Sequence, residues 1–207
     1  MLGRSASSAG FTLLELMVAL AISAFVLLGV IGIFSSTISN SKQSLDLSRL
    51  DYELQTTMSM LTQDIAAAGY WANAASASIN PFSVTGSTDL SINADANCIL
   101  MTYDKNANGS LPALSSSSDD ERYGYRLNNS AIQFRPFGAA HSCTAATGVW
   151  ENLTDSGKIT ITQFQLTPSI DTIDIDGAGA GTHTVQVRSV AVVLTGELSG
   201  KSDTSRT

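Results

Sequence analysis

The chain is constrained most by an apolar segment close to its amino terminus. The segment extends from Phe11 to Phe34, and Glu15 is its single charged side chain. An α-helix of about 24 residues has a length of about 36 Å. The hydrocarbon core of a bilayer is about 30 Å thick, so such a helix is long enough to cross it. The segment therefore predicts a membrane-spanning helix over residues 11–34.

Two common kinds of apolar segment do not account for all of these features. A secretory signal peptide has a shorter apolar region, followed by a small-residue cleavage site, whereas Gly10 precedes this segment. A simple anchor accounts for the length but not for Glu15, because a carboxylate costs about 2.5–3.5 kcal/mol at the bilayer centre and less near its surface. The helix dipole offsets part of that cost in the first turn. Glu15 is therefore a candidate functional residue.

The residues around Glu15 resemble the amino terminus of type IV pilin-like proteins. The apolar helix follows a class III leader motif of that family, which here is Gly10-Phe11-Thr12-Leu13-Leu14-Glu15. In the family, a prepilin peptidase cuts after the glycine and methylates the new amino terminus. The resemblance implies a leader over residues 1–10, cleavage between Gly10 and Phe11, and methylation of Phe11.

Glu15 also has a physical role in this family context. A filament core of packed apolar helices excludes water, so a carboxylate inside it requires a partner of opposite charge. The amine that cleavage frees at Phe11 is the candidate partner, either in the same helix or in a neighbouring subunit. We expect the neighbour, because that pairing sets a fixed axial offset between subunits.

An amphipathic continuation of the helix is predicted over residues 35–69. No proline occurs between Phe11 and Asn80, and Gly69 is a suitable terminator. Apolar side chains three or four residues apart form one stripe, which consists of Leu47, Leu50, Leu54, Met58, Leu61, Ile65 and Ala68. One helix is therefore expected from about Phe11 to about Ala68.

The end of this helix resembles a segment of PilW-type minor pilins, in which an Asp-Ile pair precedes Ala-Gly-Tyr. The corresponding residues are Asp64-Ile65-Ala66-Ala67-Ala68-Gly69-Tyr70-Trp71. Alanine occupies positions 66 and 67, where that family commonly has arginine. Tyr70 and Trp71 are expected to cap the helix end and to fill the core.

Residues 70–200 are expected to form a β-rich domain, so that the fold class is α+β: a pilin-like long amino-terminal helix packed on an antiparallel β-sheet. The candidate strands are Cys98–Tyr103, Arg122–Leu127, Ala131–Arg135, Lys158–Thr167 and His183–Leu194. Asn128-Asn129-Ser130 predicts a tight hairpin turn, and a change of apolar phase near Arg188-Ser189 predicts a β-bulge.

Three polar stretches are expected to lie outside the strands. The loops Ser110–Glu121 and Asp171–Gly181 are rich in polar residues and are expected to be mobile. Residues 201–207 follow the last apolar periodicity and are expected to form a frayed tail.

Cys98 and Cys143 are the two cysteines of the chain, and both follow the apolar segment. In an exported domain, one disulfide is the expected state. It would close a loop of about 45 residues and stabilise the fold by about 3–4 kcal/mol. The alternative is two separate buried thiols.

A weak calcium candidate begins at Asp104. Asp104, Asn106 and Asn108 place oxygen atoms at alternate positions, and Gly109 follows at the turn. Ser115 occupies the twelfth position, where a closing acid is required. Asp119, Asp120 or Glu121 can replace that acid if the chain folds back. We expect an Asn/Gly-rich turn without a metal.

The remaining motifs assemble no catalytic or cofactor site. The segment Gly177–Gly181 lacks the Lys-Ser/Thr end of a nucleotide loop and is expected to be flexible. His141 and His183 have no metal-ligating residue at suitable spacing, and Ser39 with Lys42 lacks supporting motifs. We therefore expect neither an enzyme nor a cofactor.

The charge balance bears on the class of partner. There are 18 acidic and 11 basic side chains, giving a net charge of −7. Direct nucleic-acid binding requires a basic surface for the phosphates. The balance therefore argues against direct contact with nucleic acid.

The resemblance implies a structural minor pilin that helps to initiate a type IV pilus and lies at or near its tip. The implied partners are other minor pilins, the major pilin, a tip adhesin, the prepilin peptidase and the inner-membrane assembly platform. The implied location is the bacterial inner membrane, in a single pass with a periplasmic carboxyl-terminal domain, and then the extracellular pilus. A J-type minor pseudopilin of type II secretion is the main alternative, and a DNA-uptake competence pilin is a further one.

Overall fold

The protein is described by a computed structural model over residues 10–76, 79–83, 89–114, 119–144, 149–175 and 183–207. Its residues form two compact units, which divide between Asp46 and Leu47. The glycine-rich segment 177–181 lies outside the described residues, so its expected flexibility is not addressed.

A single α-helix, α1, extends from Leu13 to Ala67 and contributes residues to both units. Its bounds agree within two residues with the predicted helix. The helix ends before Gly69, whose φ of 79° is accessible to glycine at little cost. An added Cβ at Gly69 would also lie 2.7 Å from an oxygen of Asp89.

In the described part of the second unit, eight strands follow the helix and form two antiparallel sheets. The first sheet has the order β1-β2-β3-β4-β5, with β1 Leu90–Ile92, β2 Cys98–Thr102, β3 Arg122–Asn128, β4 Ala131–Arg135 and β5 Glu151–Asn152. The second has the order β6-β7-β8, with β6 Ile159–Asp174, β7 Thr184–Leu198 and β8 Lys201–Arg206. The α+β pilin-like layout is confirmed, with two sheets where one was expected.

The core of the second unit forms where α1 meets both sheets. Leu50, Leu54 and Leu61 of the predicted stripe are buried there, and its other members pack against the cluster while partly exposed. The sheets contribute a larger set of buried side chains, which includes Ile99, Met101, Tyr125, Ile132, Ile159, Phe164 and Leu194. Burial of this stripe explains why the helical periodicity of apolar residues continues beyond the apolar segment 11–34.

The hairpin between β3 and β4 is the turn that the sequence predicts. Asn128 pairs with Ala131, and the two residues between them have φ of 49° and 59°. Positive φ at both central residues matches the right-handed twist of the flanking strands. The turn therefore fixes the register of the first sheet.

The predicted bulge near Arg188-Ser189 is wrong. The β6–β7 pairing is continuous there, and its register shifts instead between Ile161 and Gln163. The β7–β8 pairing has a shift between Gly196 and Leu198. The distal half of this hairpin is exposed on both faces. Without a core on one side, the apolar alternation is not tied to a single face, which accounts for the misleading change of phase.

The described parts of three regions that were predicted to be irregular are more ordered than expected. Asp171 to Asp174 belong to β6 rather than to a mobile loop. The predicted tail, residues 201–207, contains the edge strand β8, which pairs with β7. The loop before β3 ends in Asp120 and Glu121, and both acids are buried. Their anchoring depends on polar contacts, which apolar periodicity does not register.

The two aromatic residues after the helix have different environments. Trp71 is buried, as expected, and its indole Nε1 donates to the carbonyl oxygen of Gly109 at 3.0 Å. Tyr70 is 54% exposed, so its expected place in the core is wrong. The turn at Gly69 directs only one of the two side chains inward.

Candidate functional site

The first turn of α1 is organised by Thr12 and Glu15. The Glu15 carboxylate accepts from the Thr12 amide at 3.1 Å, and the Glu15 amide donates to the Thr12 hydroxyl oxygen at 3.2 Å. This reciprocal pair is a capping box, which satisfies two otherwise unpaired amides of the helix start. Glu15 therefore has one local role in the uncut chain.

The first unit leaves its apolar side chains uncovered. Residues of α1 in this unit are exposed, and they include Leu14, Val18, Phe25 and Phe34. Among the described residues, α1 is the one helix long and apolar enough to cross a membrane. Its apolar surface requires lipid or other protein helices, because a soluble surface rarely leaves so large an apolar patch exposed.

The carboxyl-terminal end of α1 is tied to the first sheet through Asp64. One carboxylate oxygen accepts from the Tyr103 hydroxyl at 2.9 Å, and the other accepts from the Tyr125 hydroxyl at 2.6 Å. Burial and the neighbouring carboxylate raise the pKa of both tyrosines. Both phenols therefore stay protonated and donate. The resemblance around Asp64 marked this residue, but its two tyrosine partners were not predicted.

Cys98 and Cys143 are joined by a disulfide, with sulfur atoms 2.07 Å apart. Cys98 begins β2, and Cys143 lies in the segment after β4. Arg126 reinforces this junction, because its guanidinium donates to the Cys143 carbonyl oxygen at 2.7 Å and stacks 4.4 Å from the Trp150 ring centre. The bridge therefore holds that segment against the start of β2, an inner strand of the first sheet.

The turn that starts at Asp104 is built by side-chain acceptors on main-chain amides. The Asp104 carboxylate accepts from the amides of Ala72, Asn108 and Gly109 at 2.9–3.0 Å. An added Cβ at Gly109 would lie 1.8 Å from Nδ2 of Asn73, and φ there is 75°. Asp104 thus joins this turn to the chain that leaves the helix.

Glu121 faces the same turn from the start of β3. Its Oε1 accepts from the Asn106 amide at 3.0 Å, and its Oε2 is buried without a hydrogen-bond partner among the described residues. Burial raises the pKa of the Glu121 carboxyl, and the Asp104 carboxylate adds to this effect, whereas the amides of Asn106 and Lys105 oppose it. The predicted fold-back of a later acid is present at this residue.

Asp120 points to a different partner, the guanidinium of Arg135. Both side chains are fully buried, and the nearest nitrogen and oxygen are 2.7 Å apart. Arg135 also donates to the carbonyl oxygens of Gly138 and Ala140. A buried ion pair is stable only where further hydrogen bonds satisfy the remaining donors and acceptors of its two side chains. No local sequence signal indicates the pair, because its members are separated along the chain and belong to no motif.

An apolar face lies on the exposed half of the β6–β7 hairpin. Ile173 pairs directly with Val185, and Val187 lies two residues further along on the same face. All three side chains are exposed. Contiguous exposed apolar side chains are typical of protein contact surfaces.

The histidines do not gather metal ligands. His141 is close to the Tyr123 carbonyl oxygen at 3.1 Å, and burial lowers the pKa of its imidazole. Within the described ranges, no group of three or more His, Cys, Asp or Glu side chains has the geometry to hold a metal. Asparagine and main-chain oxygens, which also coordinate calcium, are not among these groups.

Two family models match the chain. Residues 5–31 match the prokaryotic N-terminal methylation motif, and residues 43–207 match prepilin peptidase-dependent protein B. Neither a curated protein nor a solved structure matches it. Both matched families are structural, pilin-type families rather than enzyme families. Since the second model covers more than half of the sequence, the chain belongs to the prepilin peptidase-dependent protein B family and is a type IV pilin-like protein.

Proposed function

We propose that the protein is a structural minor pilin of the PilW type, which helps to initiate a type IV pilus and lies at or near its tip. The observation that carries this proposal is an exposed apolar segment over residues 11–34, with Glu15 as its single charged side chain, in a region that matches a methylation motif. Such a helix can leave lipid only for another apolar environment. A filament core made of identical kinds of helix supplies one.

Processing precedes assembly in this proposal. A prepilin peptidase cuts between Gly10 and Phe11 and methylates the new amine on Phe11. Both residues are exposed, and among the described residues no atom beyond the chain neighbours of Gly10 lies within 4 Å of a Cβ built on it. This open position supports access of a protease to the bond. Thr12 and Glu15 remain in the mature chain, so the capping box survives cleavage.

Glu15 sets the axial register of the subunit. In the dry core, its carboxylate pairs with the amine of Phe11 on a neighbouring subunit. The capping box gives the same residue a second role within its own helix. The two roles differ in chemistry, because a cap requires only an acceptor at this position, either Glu or Gln, whereas an ion pair requires the charge.

The Glu15→Gln variant separates these roles. It keeps the acceptor and removes the charge, so we expect its incorporation into sheared filaments to fall at least about tenfold. The matched control is Asp46→Asn, which removes one charge from α1 outside the apolar segment and is expected to assemble normally. Incorporation is measured by quantitative mass spectrometry of filaments relative to total membrane protein.

The Glu15→Ala variant completes the comparison, because it removes both the acceptor and the charge. We expect it to assemble no better than Glu15→Gln. If Glu15→Gln assembles like the natural chain while Glu15→Ala does not, Glu15 is only a helix cap. That outcome would remove the register mechanism while leaving the family assignment intact.

The proposed partners are other minor pilins, the major pilin, a tip adhesin, the prepilin peptidase and the inner-membrane assembly platform. The chain first crosses the inner membrane once, with its second unit in the periplasm, and later belongs to the extracellular pilus. The exposed apolar face at Ile173, Val185 and Val187 supports contact with another subunit of the same filament. The disulfide supports an oxidising compartment for the second unit.

A further inference from the structure

We propose that the turn from Asp104 to Ser110, closed by Glu121, is a binding site for Ca²⁺. The inference is independent of the filament system to which the protein belongs. It rests on two separate features of the second unit. One is the set of oxygen-bearing side chains in the turn, and the other is Glu121, whose Oε1 accepts from an amide of the turn while its buried Oε2 has no hydrogen-bond partner among the described residues.

The turn presents oxygen-bearing side chains at its first, third and fifth positions, which are Asp104, Asn106 and Asn108. These are the alternate positions that supply side-chain ligands in helix-loop calcium sites, where the seventh residue adds its main-chain carbonyl oxygen. Gly109 occupies the sixth position with a φ of 75°. Ser110 occupies the seventh. A carboxylate and amide oxygens form the donor set of a hard cation.

Glu121 is the independent observation. Its side chain is 1% exposed, and its Oε1 lies 3.0 Å from the Asn106 amide nitrogen inside the turn. Its Oε2 is buried and has no hydrogen-bond partner in the part of the chain that the structure describes. A buried carboxylate oxygen without a partner is costly, and such groups in native proteins commonly have an ion or water that satisfies them.

The charges of the site match a divalent cation. Asp104 and Glu121 each bring one carboxylate group to the site. The one basic residue of the turn, Lys105, has its ammonium 5.6 Å from the centre of the Tyr123 ring. A bound Ca²⁺ would neutralise both carboxylates and replace the missing partner of Oε2.

Titration of the full chain in detergent micelles tests the site. We expect isothermal titration calorimetry with CaCl₂ to show one saturable site, with a Kd of about 10⁻⁴–10⁻³ M as in extracellular calcium modules. MgCl₂ is expected to bind at least about tenfold more weakly, since Mg²⁺ loses its water reluctantly. Absence of saturable heat up to 10-fold above that range overturns the proposal.

The Glu121→Gln variant tests the closing ligand. It keeps the size and one acceptor of the side chain but removes the charge, so we expect at least a tenfold weaker Kd. The matched control is Glu151→Gln on β5, an exposed position where the same change should leave Kd within twofold. Near-ultraviolet circular dichroism establishes that both variants fold.

If Glu121→Gln does not fold, the exposed residue Asn108 provides the second variant. Asn108→Ala removes the side-chain ligand at the fifth position of the turn and should also weaken calcium binding at least tenfold. Natural-strength binding by a folded Glu121→Gln chain, or by Asn108→Ala where that variant replaces it, overturns the assignment of these residues as ligands.

Discussion

At the scale of single residues, Asp89 and Arg188 show how charge joins the two sheets. Arg188 on β7 makes a two-pronged contact with the Asp89 carboxylate, which directly precedes β1. The hydrogen bond from Arg188 lowers the pKa of the Asp89 carboxyl, and its positive charge adds to this effect, although burial opposes it. The pair therefore stabilises the folded state only while Asp89 is ionised.

This pair makes stability depend on pH in a defined window. The pKa of Asp89 in the folded protein lies below its value in the unfolded chain, about 3.9. Its contribution is complete above that value and is lost as the pH falls through the folded pKa. Arg188 is 51% exposed, so solvent screening limits the contribution to about 0.5–1.5 kcal/mol.

We expect Asp89→Asn to lower the free energy of unfolding by about 0.5–1.5 kcal/mol at pH 7, and we expect this difference to shrink below about pH 4. Urea unfolding of the full chain in micelles at several pH values measures it. Asp95→Asn, at an exposed position, is the matched control and should show no such trend. A deficit for Asp89→Asn that stays constant down to pH 2 would contradict the electrostatic origin.

At the scale of elements, the junction between α1 and the first sheet depends on Asp64. Its two oxygens accept from Tyr103 on the chain after β2 and from Tyr125 on β3. Tyr125 is fully buried and Tyr103 nearly so. Loss of the acceptor would leave two buried hydroxyl groups unpaired, and each costs about 1–3 kcal/mol.

We therefore expect Asp64→Ala to lower the free energy of unfolding by about 2–4 kcal/mol. Gln63→Ala, at an exposed position next to it on α1, should change stability by less than about 0.5 kcal/mol. Combining Asp64→Ala with Tyr125→Phe should cost less than the sum of the single changes, because both remove the same bond. Additive losses in urea unfolding would show that the bond does not couple helix and sheet.

The elements predicted from the sequence are mainly those that bury apolar side chains. The stripe through Leu50 and Leu61 is buried against the core, and β2, β3 and β4 each bury several of their residues. β8 has no apolar pattern, because it is a polar edge strand that buries only Thr204. The distal part of β6 was missed because it is exposed on both faces and is held by its pairing with β7.

The polar contacts of the candidate sites were only partly accessible from the sequence. Glu15, Asp104 and the two cysteines stand in local motifs, so their positions were evident. The partners of Asp64 and Asp120 come from distant parts of the chain, and their pairing depends on sheet register. Glu121 could be named only as one of three acids, because the choice depends on how the loop returns to β3.

At the scale of the whole molecule, the first unit needs another molecule to cover its apolar surface, whereas the second unit carries its own core. The first unit exposes the apolar part of α1, whereas the second unit buries a continuous cluster. In the proposed assembly, the apolar part of α1 exchanges lipid for a filament core. We therefore propose that cleavage at Gly10 prepares this helix for assembly.

The most direct test is mass spectrometry of the amino-terminal peptide from sheared surface filaments and from membranes. We expect the filaments to contain a peptide that begins with methylated Phe11. A processed chain confined to the membrane fraction would favour the secretion pseudopilin over the proposed pilus subunit. An uncut chain that begins at Met1 in both fractions would contradict cleavage at Gly10 and the assembly proposed to follow it.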